Sequence, residues 1–195
     1  GQAVSGDDAA ALSAALADRL PAGFAAGFRV IGPDDEAALL PEEARALTTT
    51  VPAARRASGA ARALARGLMA GLGIEPRPIP RSALGAPLWP VGVVGSLAHD
   101  DTIAAAVVGR SGAVVGVGID VEPAEPLEAD VADLVVTAED VLDAGDGRLS
   151  GRLAFVAKEA VYKAVHPLCG VILDWPDIRL DLPGGRARTV TGHAA

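Results

Sequence analysis

The chain has 195 residues, half of them hydrophobic and only 3% aromatic, and its formal net charge at pH 7 is −8. This length and composition predict a soluble globular body, or two small lobes, with a core of small aliphatic side chains. The negative charge argues against general nucleic-acid binding, because the average surface would repel a phosphate polymer. An anionic ligand would therefore need a local basic pocket.

Cysteine content and hydropathy exclude further classes. Cys169 is the only cysteine, which excludes an intrachain disulfide framework and a cysteine-rich zinc site. The chain lacks an apolar run of the roughly 18 residues typical of a membrane span, and residues 1–5 lack a signal-peptide pattern. We therefore expect a cytoplasmic protein without a membrane partner.

Proline, glycine and acidic residues mark three helices in the first half. Residues 7–20 are rich in alanine and begin with acids, which predicts a helix that starts at a carboxylate cap and stops before Pro21. Pro41 opens a short helix, and Pro52 opens a longer one that Gly73 closes.

The longer helix is amphipathic. Leu64, Leu68 and Leu72 repeat by four on one face, and a second face carries a stripe of arginines. These are Arg55, Arg62 and Arg66. Spacing alone leaves two interpretations open, a solvated arginine face or an anion-binding site.

Strand patterns begin after an irregular connector at residues 75–90, which contains five prolines. The predicted strands are 91–96, 103–108 and, as the clearest of the chain, 113–121. An acidic segment of helix and loop is then expected at 126–150, a helix from about 152 to about 167, short strands at 172–175 and 178–182, and a turn at 184–185 before 186–191.

Two carboxylates share one face of the strand predicted at 113–121. Side chains alternate along a strand, so Gly116, Gly118, Asp120 and Glu122 point away from the valine and isoleucine face. Carboxylate oxygens beside glycines suit a hard divalent cation, and magnesium is the expected metal. The alternative is an acidic strand end that faces solvent.

The lysines are concentrated in one place. The chain has fifteen arginines but only two lysines, Lys158 and Lys163, and both lie within residues 155–163 beside Glu159. Glu159 and Lys163 are four residues apart on one helix face, so an ordinary ion pair is one interpretation. Because arginine serves as the surface cation elsewhere, we favour a catalytic helix.

Taken in order, these segments resemble the 4′-phosphopantetheinyl transferases, in particular the monomeric type related to siderophore-pathway and actinobacterial enzymes. The resemblance covers about residues 39–175 and is most specific in its last two motifs. The motifs are Leu40-Pro41-Glu42-Glu43, the helix with Arg55 to Arg66, Gly85-Ala86-Pro87-Leu88-Trp89-Pro90, Gly95-Ser96-Leu97-Ala98-His99, Gly118-Ile119-Asp120-Val121-Glu122 and Lys158-Glu159-Ala160-Val161-Tyr162-Lys163.

The resemblance implies an α/β (α+β) fold of two pseudo-twofold-related lobes, 1–110 and 111–195, with coenzyme A between them. Each lobe would pack an antiparallel sheet against a long helix. The implied activity is magnesium-dependent transfer of the phosphopantetheine arm from coenzyme A to a serine of an apo acyl or peptidyl carrier protein. Adenosine 3′,5′-bisphosphate would be released, and the carriers would belong to fatty-acid, polyketide or nonribosomal peptide synthases.

The resemblance also implies a role for each candidate residue. Three carboxylates would hold magnesium, and Glu159 would also serve as the base for the serine. Lys158 and Lys163 would contact the phosphates and stabilise the leaving group. The implied metal ligands are Asp120, Glu122 and Glu159, and the implied nucleotide contacts are Arg55, Arg56, Arg62, Ser96 and His99.

Several residues depart from the family pattern. Ala98 stands where a serine or threonine is usual, and Phe155 stands where a tryptophan is common. Ser58 and Ala61 stand where the family commonly has a phenylalanine and a glycine ahead of Arg62. These departures motivate an alternative, a homologue that binds coenzyme A or a carrier protein without transfer. A structural or interaction domain that binds neither metal nor nucleotide is the third hypothesis.

Overall fold

The computed structural model describes residues 4–142 and 147–190 and divides into two compact units, Gly1–Val121 and Glu122–Ala195. Both units combine helices with antiparallel strands, which confirms the predicted α+β class. Within the described ranges, the structure has no helix that combines the length and apolar character needed to cross a membrane. The predicted segments at 126–150 and 186–191 lie partly outside the described residues.

The first unit is built on a three-stranded antiparallel sheet. Its elements are α1 Gly6–Ala17, β1 Phe24–Val30, a 3-10 turn at Asp35–Ala38, α2 Pro41–Ala46, α3 Pro52–Gly71, β2 Val93–His99 and β3 Ile103–Arg110. β3 lies in the middle, antiparallel to β1 on one side and to β2 on the other.

The central strand separates two apolar layers. Residues 103–109 of β3 are all buried, as expected for a strand covered on both faces. Ala106 and Val108 pack in one cluster with Met69 of α3, whereas Ala105 and Val107 pack in another cluster. Leu64, Leu68 and Leu72 pack against the cluster on the α3 side, which confirms the apolar face predicted for that helix.

The first helix starts differently from the prediction. Ser5 caps α1, with its hydroxyl accepting from the N–H of Asp8 while the Asp8 carboxylate accepts from the N–H of Ser5. The predicted carboxylate cap is therefore wrong, because the capping box places the acid at the third helical position. The helix ends at Ala17, and Ser13 of α1 accepts the N–H of Phe28 in β1.

The strand predicted at 113–121 is absent from the described structure, where this segment has no ladder partner. Its alternation is nevertheless used. Ile119 is buried, and Val117 and Val121 pack with it against Ala98 on the sheet face opposite α3. The segment covers a face of the sheet with its side chains, and its backbone does not pair with a sheet edge. Alternation with a period of two does not distinguish these two cases.

The second unit is smaller and centred on a long helix. Its described elements are α4 Ala129–Val135, α5 Ser150–Cys169, a 3-10 turn at Trp175–Asp177, β4 Ile178–Asp181 and β5 Arg186–Thr189. β4 and β5 pair as an antiparallel hairpin, and Val135, Ala154, Ile178 and Leu180 form the buried core. The strand predicted at 172–175 is wrong, since this stretch is coil that leads into the 3-10 turn.

The helix α5 continues past its predicted end. Pro167 lies inside its last turn, where the missing N–H costs a single helical bond. Gly170 then stops the helix in the left-handed conformation, with φ at 67° and its N–H donating to the carbonyl of His166.

A buried ion pair holds α5 to the rest of this unit. The side chains of Lys158 and Asp140 are both fully buried, with Nζ 2.7 Å from Oδ2. Asp140 also accepts the N–H of Thr137 and the N–H of Leu180. Burial acts to raise the pKa of Asp140, but hydrogen bonds from Lys158, Thr137 and Leu180 outweigh it, so the pKa lies below its ordinary value.

We predict that Asp140→Asn lowers the free energy of unfolding by about 3 kcal/mol near neutral pH, because it leaves the Lys158 ammonium buried without its counter-ion. The folded-state pKa of Asp140 is depressed, so its contribution is present above the ordinary carboxyl pKa of about 4. That contribution is lost as the pH falls through the folded-state pKa. Urea unfolding across this range should show a wild-type advantage that shrinks in acid, and a pH-independent advantage would contradict the assignment.

Candidate active site

The first unit contains a pocket of about 310 Å³ between α3, the irregular connector and the end of β2. Its polar lining includes Arg62 of α3, Arg81 of the connector and His99 of β2. The remaining lining residues are Leu47, Thr49, Ala54, Ser58, Ala61, Gly85, Pro87 and Leu97. Two of the sequence-predicted nucleotide contacts, Arg62 and His99, are therefore brought to one cavity.

Arg62 is held rigidly at the wall of this pocket. The residue is 5% exposed, and its Nε donates to the carbonyl of Ile79 at 2.8 Å. A longer bond of 3.4 Å joins Nη1 to the carbonyl of Ser58. Burial lowers the pKa of Arg62, Glu43 acts in the opposite sense, and the nearby Arg81 and Arg66 add to the lowering. Arg62 and Arg81 both line the pocket, so its wall carries two guanidinium groups and is suited to an anion.

The fully buried carboxylate of Glu43 helps to hold Arg62 in place, through Ile79. Both oxygens of Glu43 accept from Nη1 of Arg66, at 2.5 and 2.7 Å. The same carboxylate accepts the N–H of Leu40 and the N–H of Ile79. Ile79 thus receives a bond from Arg62 at its carbonyl and gives one to Glu43 from its amide, so the connector is fixed to α2 and α3.

The arginine stripe of α3 is not a solvated face, and its interpretation as an anion-binding site stays a prediction for Arg62. Arg55 pairs with Glu36, Arg66 pairs with Glu43, and only Arg62 lines the pocket. All three arginine side chains are largely covered, which rules out a solvated face. Two other candidates, the half-buried Arg56 and the buried Ser96, lie outside the set of described residues that line the cavity.

Arg81 is a pocket residue that sequence reasoning missed. Its Nε donates to the carbonyl of Gly85 at 3.0 Å, which curls the connector around the guanidinium. Gly85 has φ of 92°, and a Cβ added there would approach Nη2 of Arg81 to 2.9 Å. The sequence signal that could have indicated Arg81 is its position four residues before Gly85 in a proline-rich connector.

The departure at Ala98 lies away from this pocket. Successive strand residues face opposite sides, so Leu97 and His99 line the cavity while Ala98 packs in the apolar cluster with Ala105 and Val107. The departures at Ser58 and Ala61, in contrast, are both in the pocket lining.

The second unit positions the acid and the lysines of the predicted catalytic helix. Glu159 is half-buried on α5, and its Oε1 accepts from the indole Nε1 of Trp175 at 2.8 Å. Lys158 is fully buried and donates to the carbonyls of Val135 and Trp175 as well as to Asp140. Lys163 is half-buried one turn after Glu159. The phosphate contact predicted for Lys158 stays a prediction, although the structure gives its ammonium three partners inside the unit.

The three predicted metal ligands belong to different units. Asp120 lies at the end of the first unit, whereas Glu122 and Glu159 belong to the second. Oε2 of Glu122 accepts from Nη1 of Arg152 at 3.1 Å. Across the described ranges, histidine, cysteine and acidic side chains form no group of three that could hold a metal ion. The metal site stays a prediction.

Comparison with known proteins identifies the family. Residues 42–109 match the 4′-phosphopantetheinyl transferase N-terminal domain, and residues 116–195 match the 4′-phosphopantetheinyl transferase superfamily domain. The first match ends at residue 109 and the second begins at residue 116, whereas the compact units divide after Val121. The chain belongs to the 4′-phosphopantetheinyl transferase superfamily.

Three relatives show how much of such proteins the chain represents. It is 38% identical over 155 residues to the 4′-phosphopantetheinyl transferase Svp of Streptomyces mobaraensis, covering 76% of this chain and 63% of the relative. It is 38% identical to PptT of Mycobacterium tuberculosis, covering 72% of this chain and 64% of the relative. With Npt of Nocardia iowensis it shares 37% identity, covering 89% of this chain and 80% of the relative. The chain thus spans less than two thirds of the length of the first two.

The buried and exposed arginines of the pocket should differ in their effect on stability. Arg62→Met removes the donors to the carbonyls of Ile79 and Ser58, so we expect a loss of about 1–3 kcal/mol in the free energy of unfolding. Arg81→Ala, at an exposed position, should change it by less than about 0.5 kcal/mol. Urea unfolding of both variants checks the difference, and equal losses would refute the structural role of Arg62.

Proposed function

We propose that this protein transfers the 4′-phosphopantetheine arm of coenzyme A to a serine hydroxyl of an apo carrier protein, with release of adenosine 3′,5′-bisphosphate. The observation that carries the proposal is the pocket that joins Arg62, Arg81 and His99 within the unit that matches the family's N-terminal domain. We further propose a monomeric, cytoplasmic enzyme that depends on magnesium and serves acyl or peptidyl carriers.

The pocket suits the phosphorylated ribose of coenzyme A. A guanidinium presents N–H groups in a planar fork that matches phosphate oxygens, and Arg62 already has its fork fixed by the Ile79 carbonyl. Arg81 adds a second guanidinium to the lining, and His99 adds an imidazole. The net charge of the chain is −8, so this local cluster supplies the attraction that the average surface lacks.

The proposed metal ligands fit magnesium in their chemistry. Asp120, Glu122 and Glu159 offer only carboxylate oxygens, the donors that this hard cation prefers. Bound magnesium would neutralise charge on the pyrophosphate during displacement at phosphorus. Two of the three carboxylates are already held by donors, Glu122 by Arg152 and Glu159 by the Trp175 indole.

In the proposed reaction, the hydroxyl oxygen of the carrier serine attacks the β-phosphate of coenzyme A, and Glu159 takes the proton from that hydroxyl. The bond to the departing adenosine bisphosphate breaks, and the ammonium of Lys163 stabilises the charge that collects on that leaving group. Glu159 and Lys163 are four positions apart on α5, so both side chains leave the helix on the same face.

A homologue that binds coenzyme A without transfer is the second candidate. Ser58 and Ala61 favour it, because both line the pocket and replace a phenylalanine and a glycine of the family pattern. Ala98 does not, because it packs in the core of the unit. Nucleotide binding in calorimetry, together with no mass gain on any of several apo carriers, would select this candidate.

Transfer should depend on Glu159. When the wild type is incubated with coenzyme A, magnesium and an apo carrier protein, the carrier protein should gain the mass of one phosphopantetheine arm. Glu159→Gln keeps the size of the side chain and an oxygen for the Trp175 indole, so we expect intact folding but a rate at least about 100-fold lower. Glu128→Gln, at an exposed position before α4, is the matched control. Unchanged transfer by Glu159→Gln would refute the assigned role.

Arg81 should contribute to coenzyme A affinity through the 3′-phosphate. Removing one charge-assisted phosphate contact in Arg81→Ala should weaken binding of coenzyme A roughly tenfold, measured by calorimetry. Arg77→Ala on the same connector is the control, because Arg77 is exposed and pairs with Glu75. Coenzyme A that lacks the 3′-phosphate should bind wild type and Arg81→Ala equally. A tenfold difference that persists with this ligand would place the contact elsewhere on the nucleotide.

A further inference from the structure

Trp175 contacts two consecutive residues of α5 from outside the helix. It opens the 3-10 turn Trp175–Asp177 that leads into β4. Its indole Nε1 donates to Oε1 of Glu159 at 2.8 Å, and its carbonyl oxygen accepts from Nζ of Lys158 at 3.2 Å. Trp175 is therefore hydrogen-bonded to both Lys158 and Glu159.

Lys158 anchors the backbone of Trp175. Its residue exposure is 0%, and its ammonium donates to Val135 O and Asp140 Oδ2, both at 2.7 Å, and to Trp175 O. An ammonium has three N–H donors, so three acceptors account for all of them. The lysine fixes the end of α4, the loop with Asp140 and the turn with Trp175 against one point of α5.

The indole ring is fixed as well. Its centroid lies 5.7 Å from that of Phe155 at an interplanar angle of 56°, a tilted aromatic pair. The ring nitrogen is the only hydrogen-bond donor of a tryptophan side chain, and here it serves Glu159. With its backbone tied by Lys158 and its ring packed on Phe155, Trp175 presents that N–H to Glu159 in a fixed direction.

We propose that Trp175 is a positioning residue that orients the Glu159 carboxylate, with Lys158 as the anchor of Trp175. This inference rests on the proposed function, because the carboxylate that Trp175 would orient is one that the proposed function makes a metal ligand. A carboxylate with one oxygen fixed by an N–H has its second oxygen directed as well, since the group is planar. Donors that hold metal-binding carboxylates in this way typically contribute 10- to 100-fold in metal affinity.

Trp175→Phe isolates the indole donor. Phenylalanine keeps an aromatic ring beside Phe155 and the backbone carbonyl for Lys158, but it lacks the N–H. We expect binding of Mn²⁺, used as a magnesium probe with coenzyme A present, to weaken by roughly tenfold in calorimetry. The affinity for coenzyme A without metal should be unchanged, which a general loss of structure in the variant would not produce.

A spectroscopic experiment supplies a second measurement. The chain has two tryptophans, and Trp89 lies in the first unit against Gly95, so Trp89→Phe leaves Trp175 as the single indole fluorophore. Mn²⁺ is paramagnetic and quenches nearby indoles. Its titration into Trp89→Phe with coenzyme A present should give saturable quenching, and adding Glu159→Gln should abolish the saturable part.

The outcomes separate this inference from the function on which it rests. If Trp175→Phe binds Mn²⁺ as tightly as the wild type while the wild type transfers the arm, the positioning role is wrong and the proposed function stands. If the wild type neither binds Mn²⁺ nor modifies any carrier, both are wrong. Weaker Mn²⁺ binding by Trp175→Phe, with unchanged coenzyme A affinity, supports the proposal.

Discussion

Charge buried in an interior of small aliphatic side chains is the constraint on which both units of this protein depend. Glu43 and Lys158 are each 0% exposed, one in each unit. A buried charge is tolerated only when hydrogen-bond partners replace the lost water. Each charge has partners 17 or more residues away in sequence, so satisfying a single charge fixes several backbone segments at once.

In the first unit this constraint produces the pocket. The connector at residues 75–90 has too many prolines to join a sheet, yet it is ordered, because Ile79 bonds to Glu43 through its amide and to Arg62 through its carbonyl. The arginine that faces the cavity is thereby supported by the same network that holds the wall in place. A guanidinium that is already fixed loses little conformational entropy when it binds a phosphate.

The sequence predicted the elements whose ends are marked by special residues. Pro41 and Pro52 open α2 and α3 as expected, and the leucines of α3 face the core. The fate of the arginines was not predictable, because spacing gives the face of a helix but not the acids that other segments bring to it. Arg55 and Arg66 meet Glu36 and Glu43, 19 and 23 residues away in the chain.

The strand expected at 113–121 failed for a related reason. Alternation reports which side chains are buried, and Ile119 is indeed buried. It does not report whether the backbone finds a neighbouring strand, because that depends on whether an edge is available or a sheet face must be covered. Here the segment covers the face that carries Ala105 and Val107.

Lys158 and Lys163 have different surroundings, so a single role does not explain why both positions carry lysine. Residues five apart on a helix with 3.6 residues per turn differ by about 140° around its axis, so Lys158 and Lys163 cannot share a face. At 158, two backbone carbonyls and a carboxylate surround one point, which suits a compact ammonium with three diverging N–H bonds and not a planar guanidinium. At 163 the side chain shares a face with Glu159, as the proposed chemistry at phosphate requires. Burial therefore distinguishes Lys158, whose ammonium has three partners inside the unit, from the half-buried Lys163, and the phosphate contacts of both lysines stay predictions.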